Sequence, residues 1–198
     1  MKGEYIMCAF IKFRKAILEL SDVPEILIEQ LFSICQLKNV KKGESFIQAG
    51  ELSKDMGFIL EGLFRLYYID EEGNDYTKAF SRTGQFLISY SAIVQERPSF
   101  FYIEALQDSQ ILLFEYQRFS NMIQKDIRWY PFAYKLLENV YIMKELREKS
   151  FLLDNAEQRY RDFKKQYADV ENQIKLYHVA SFLGIKPETL SRLRSTKN

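Results

Sequence analysis

Histidine is nearly absent from this chain: His178 is the only one in 198 residues. Metal sites and Ser-His-Asp catalysis draw on histidine with partners at hand, so both lose their usual material. Cysteine is as scarce. Cys8 and Cys35 are too few for an iron–sulfur cluster, which usually takes four thiolates, and they read as small buried apolar residues of a reducing compartment. No apolar run reaches the length of a bilayer span. The opening, MKGEYIMCAFIKFRK, is too short and too broken by charge for a secretory signal. No glycine falls in a GxGxxG or before a GK[ST], so the phosphate-cradling loops are missing. These absences predict a cytoplasmic protein without membrane, metal, cofactor or catalytic constellation.

What is present is a soluble composition, 47% apolar and 28% charged, with 16 Phe and 13 Tyr favouring a β-rich part. Residues 1–39 read as helical. Within them Ser21 or Asp22 is placed to cap a helix that carries Pro24 in its first turn. From Val40 short apolar and aromatic runs alternate with Gly43, Gly50, Gly62, Gly73 and Gly84, the spacing of a small sandwich or barrel. Glu71-Glu72-Gly73-Asn74, between LFRLYYID and DYTKAF, reads as a hairpin turn. Phe100, Phe101 and Tyr102 read as strand core and flank. Phe119–Ile127 reads as a short helix. A long helix then runs from Arg128 to about Leu153 with Leu136, Val140, Met143 and Leu146 as its apolar stripe. That stripe is predicted to pack on its copy in a homodimer. Asn155 or Asp154 caps a further helix whose face is Tyr160, Phe163 and Tyr167.

The most informative stretch is LYHVASFLGIKPETLSRLR, from Leu176 to Arg194. Val179, Leu183, Ile185, Leu190 and Leu193 fall on the facing sides of two short helices. Ala180 is small enough for a close crossing. Gly184 suits a left-handed helix end, and Pro187 the first turn of the next helix. The spacing predicts a helix-turn-helix whose second helix turns Lys186, Glu188, Ser191, Arg192 and Ser195 outward, a shape the DNA major groove admits. Charge agrees: from Ala156 to the end there are nine Lys and Arg against five Asp and Glu, whereas before it acids lead by 22 to 19. His178 reads as an exposed residue of the first helix, close enough to touch phosphate.

With β-strands, long helix and helix-turn-helix in that order, the chain resembles the Crp/Fnr family of bacterial transcription regulators over roughly Leu31 to Arg194. The matching pieces are KKGESFIQAGE, FILEGLFRLYYIDEEG, FFYIEALQDSQILLFEY, AEQRY and VASFLGIKPETLSRLR. The resemblance implies an α+β chain in three parts: a cyclic-nucleotide-binding-like double-stranded β-roll at 1–127, a dimerisation helix at 128–153 and an all-α DNA-binding domain at 154–198. It implies a non-enzymatic homodimer that binds partly palindromic double-stranded DNA under control of a small-molecule effector, with RNA polymerase as a further partner. Pro187, Glu188 and Arg192 match the family's base-reading positions; Lys186, Ser191 and Ser195 are candidates for phosphate or nearby bases. The family's wing after the reading helix is expected to be missing or reduced.

One departure bears on the effector. Cyclic-nucleotide binders of this fold carry a Gly-Glu pair for the ribose and an Arg for the phosphate. Here that region reads Phe86-Leu87-Ile88-Ser89, the Arg position falls at Ser99, and Arg97 is the nearest substitute. Phe86, Leu87, Ile88, Arg97 and Ser99 are therefore the expected effector pocket, more apolar than a cyclic-nucleotide site. The competing reading is a small-molecule-binding β-roll whose helical tail only makes protein contacts.

Overall fold

The computed structural model describes residues 2–195; the last three residues of the expected DNA-binding part lie outside them. The chain opens with α1 (Lys2–Leu20) and α2 (Glu25–Ser33). The N-cap of the second helix is Pro24, whose side chain has nothing to donate or accept, so neither Ser21 nor Asp22 is its cap. Eight strands follow: β1 (Gln36–Val40), β2 (Ser45–Ile47), β3 (Asp55–Glu61), β4 (Leu63–Ile69), β5 (Asp75–Arg82), β6 (Phe86–Leu87), β7 (Tyr102–Ala105) and β8 (Ser109–Glu115), with the short α3 (Tyr90–Val94) between β6 and β7. The helical reading of residues 1–39 thus ran too far. Gln36–Val40 pairs with β8 as an edge strand whose first four residues face solvent, so it shows no inward alternation.

The strands form two antiparallel sheets in the orders β1-β8-β3-β6 and β2-β7-β4-β5. This is the expected double-stranded roll. Its interior is filled by Val40, Ile47, Ile59, Phe64, Leu87, Phe101, Ile103, Ala105 and Ile111. Phe101 and Tyr102 take the expected strand-core and flank places, while Phe100 is exposed. The β4–β5 turn is held by Asp70, whose carboxylate accepts the Glu72 and Asn74 backbone N–H groups. A second core lies outside the β1-containing sheet, where Phe13, Ile17, Ile28 and Leu31 of the first helices meet Phe58, Phe114, Trp129 and Phe132.

After the roll come α4 (Tyr116–Lys125), α5 (Tyr130–Leu153), α6 (Ala156–Gln166), α7 (Leu176–Leu183) and α8 (Pro187–Ser195). Asn155 caps α6 in a reciprocal box with Gln158, each side chain taking the other's backbone N–H. No described helix is long and apolar enough to cross a membrane. The cysteines are less buried than expected: Cys8 is exposed and Cys35 half-buried, its thiol pushed up to about 12 by burial.

Candidate DNA-reading site

The helix-turn-helix forms as its spacing demands. Gly184 sits at φ 65°, in the left-handed region. The turn is closed by Gly184 and Ile185 N–H groups donating to the carbonyls of Ser181 and Ala180 at 3.2 and 3.1 Å. A side chain at Gly184 would also meet the Phe151 ring of α5 at 2.7 Å, so the turn is pressed against the end of the long helix. Pro187 opens α8, and the Lys186 carbonyl accepts from Thr189 and Leu190. Leu190, Val179, Ala180 and Leu183 are buried with Tyr160 and Phe163 of α6 and with Tyr167 just past its end, with Ile185 and Leu193 at the margin.

At 100° per residue, Leu190 and Leu193 fix one side of α8, and Glu188, Ser191, Arg192 and Ser195 fall on the other. All four are exposed, as are Lys186 and Pro187. The expected reading residues are thus presented together, three to four residues apart, on a helix anchored from behind. Thr189 and Arg194, exposed at the two margins of that face, were not singled out from the sequence; both are polar residues in a helix already read as polar, so no separate signal marked them.

His178 is a correction. Only 4% of it is exposed, and it points away from solvent. Burial, then the Arg65 guanidinium, push its imidazole down to about 4; Asp75 pulls the other way and Lys175 adds to the fall. Its neighbours belong to β4 and β5, a hundred residues earlier, which no local pattern reveals. In this arrangement it has no phosphate to touch.

The expected effector residues do not converge on one hollow. Phe86 packs with Phe13, Phe58 and Phe132 in the helix-covered core, and Ile88 lies beside that core. Leu87 is buried in the roll interior. Arg97 lays its guanidinium over the Phe100 ring at 4.4 Å. The Ser99 hydroxyl is used internally, 2.9 Å from that of Ser89 and 2.8 Å from the Phe101 carbonyl, to which it donates. Leu87, Ile88 and Ser99 supply neither the carboxylate nor the guanidinium with which such sites hold ribose and cyclic phosphate, so these residues do not fit a cyclic nucleotide. A half-buried cation beside the roll core, unnoticed in the sequence, is Lys78. Its ammonium lies 3.7 Å from the Phe101 ring centre, and burial, then the charge of Lys144 on α5, push it down to about 8.

The expected seam on α5 is divided. Leu136 packs against the core of its own chain. Val140, Met143 and Leu146 stay about half exposed. Tyr130, Tyr134, Leu137 and Tyr141, at steps of four, three and four, make a further apolar edge, with Tyr134 and Tyr141 more than 60% exposed.

A roll of the cyclic-nucleotide-binding type, a long helix and an outward-facing helix-turn-helix thus follow one another along the chain. Residues 37–126 match the cyclic nucleotide-binding domain. The fumarate and nitrate reduction regulatory protein of Vibrio cholerae is 26% identical over 181 residues, covering 84% of this chain and 70% of that protein. Among solved structures, a CooA variant from Carboxydothermus hydrogenoformans superposes with a TM-score of 0.68 at 16% identity, over 91% of this chain and 81% of that one. FixK2 from Bradyrhizobium japonicum gives 0.67 at 18% identity, over 82% and 84%. The Thermus thermophilus catabolite activator protein gives 0.54 at 19%, over 88% and 84%. Over more than four fifths of its length the chain thus has the fold of these three solved structures, with a cyclic nucleotide-binding domain at 37–126.

Proposed function

We propose that the chain works as a homodimer, inserting α8 of each protomer into the major groove at one half of a partly palindromic site, with the roll at 1–127 as the sensing part. The carrying observation is the exposed face of Glu188, Ser191, Arg192 and Ser195 opposite the buried Leu190. Glu188 is suited to accept from a cytosine amino group and Arg192 to donate two bonds to a guanine edge. Lys186, Ser191 and Ser195 take phosphate or neighbouring bases. A tail used only for protein contacts would call for an apolar outer face on α8, and this one is polar and basic.

The dimer seam follows from α5. Leu136 is already used, so the seam shifts around the helix to Tyr134, Leu137 and Tyr141, with Val140 at its flank. Two heads related by this axis call for half-sites centred about 34 Å apart, one DNA turn.

Gel shift and anisotropy with genomic fragments test the reading. The expected result is salt-sensitive, sequence-selective binding. Arg192→Ala should weaken the selected site by about 1–3 kcal/mol and relax one base pair per half-site, whereas Lys186→Ala should weaken all sequences alike. Equal losses on specific and nonspecific DNA for Arg192→Ala would make it a phosphate contact only.

A further inference from the structure

The reading head is tied to the roll by the open edge of one strand. Strand β5 is the last in its sheet, paired with β4 on one side only. Edge strands expose unpaired N–H and C=O groups, and here side chains of the helical part take them. The Ser181 hydroxyl of α7 accepts from the Thr77 N–H at 2.8 Å and donates to the Asp75 carbonyl at 3.1 Å, so one side chain serves both groups as a neighbouring strand would. Arg147 of α5 donates to the Thr77 carbonyl at 2.9 Å and to the Phe182 carbonyl at 3.1 Å, joining long helix, strand and α7 through one guanidinium. The Phe80 N–H donates to the Tyr167 hydroxyl at 3.5 Å, and Arg82 pairs with Asp169 at 2.8 Å. Leu63 and Phe80 of the roll are members of the head's own apolar core.

None of these contacts uses the outward face of α8. Docking therefore leaves Glu188, Ser191 and Arg192 exposed while removing the head's freedom to swing. We propose that Ser181 is the pin of a clasp that holds each head in place on its roll before DNA arrives, and so fixes the separation of the two heads in the dimer. The proposal rests on the DNA-reading function above. Its consequence is asymmetric. A site with two halves must be met by both heads at once, and its affinity gains from heads ordered in advance. A single half-site needs one head and gains nothing from their separation.

The test uses the full chain and the duplex that wild type selects from genomic fragments, beside the same duplex with one half scrambled. Ser181→Ala removes the hydroxyl and keeps a helix-forming residue; Ser181→Thr restores a hydroxyl. Amide exchange at Thr77, followed by NMR without DNA, reads the clasp itself. For Ser181→Ala the expected results are Thr77 exchange at least ~10-fold faster, two-half binding about 10-fold weaker and one-half binding within ~2-fold of wild type. Ser181→Thr should return all three toward wild type. An equal loss on both duplexes would show that Ser181 only supports the head's fold, and unchanged or tighter two-half binding would show that the clasp does not position the heads; either overturns the proposal. Wild type selecting no duplex from the genomic fragments would overturn the DNA reading and the positioning role with it, and the Thr77 exchange would still show whether Ser181 closes the strand edge.

Discussion

His178 shows how a single residue can be misread when its neighbours are remote in sequence. Its place on α7 was legible; its burial against Arg65 and Asp75 was not, because β4 and β5 lie about a hundred residues earlier. Arg65 is itself fully buried, its guanidinium bonded to Thr77 and Asp75 and lying 4.4 Å from the Tyr67 ring centre. An imidazole facing that cation stays neutral. Its folded pKa, about 4, lies below its ordinary 6.5. The neutral form therefore contributes fully above 6.5, and its contribution falls as pH drops from 6.5 toward 4. Denaturant unfolding at pH 7.5 and 5.5 should show wild type losing on the order of 1 kcal/mol more than His178→Phe over that interval. Equal losses would mean that His178 keeps its ordinary pKa in the folded chain. Ser181 was equally silent in the sequence: a serine in a short amphipathic helix gives no sign that it completes a strand.

At the level of elements, the helix-turn-helix was legible because all its signals are local. Apolar spacing, Gly184 and Pro187 lie within fifteen residues and fix both the turn and the exposed face of α8. Strand β1 was not, because Gln36 to Asn39 face solvent and only Val40 turns inward. The long helix was legible in extent and not in rotation: apolar residues occupy several of its sides, and only the packed roll shows which side is spent. Leu136 is spent; Leu137 and Tyr141 are not. Leu137→Asp should therefore sediment as a monomer, since a buried unpaired carboxylate costs several kcal/mol. Val140→Asp, at the flank, should keep a larger dimer fraction. The reverse order in sedimentation equilibrium would return the seam to the Val140, Met143 and Leu146 side.

For the whole molecule, the order of roll, long helix and helix-turn-helix was visible from the sequence, while the places of the expected pocket residues were not. The expected pocket residues share a stretch of chain and then part, Phe86 to one core, Leu87 to another, Ser99 to a buried pair with Ser89. Chain neighbours around a short strand face opposite ways, and a linear reading groups what the fold separates. With Leu87-Ile88 and Ser99 in place of the ribose-binding carboxylate and the phosphate-binding arginine, the expectation is that cAMP and cGMP do not bind at micromolar concentration. Titration calorimetry giving a micromolar Kd for either would contradict this.

The hydroxyl of Ser181 also has a protective side. As long as α7 lies along β5, the sheet presents no free edge there for another chain to extend. A shortened chain ending at Leu153 would lack α7 and Tyr167. Thr77, Asp75 and Phe80 would then offer bare backbone beside the exposed apolar side chains of α5. Such a fragment would lose solubility by strand-to-strand association between copies, and the same hazard would attend the intact protein for as long as its head stood away from the roll.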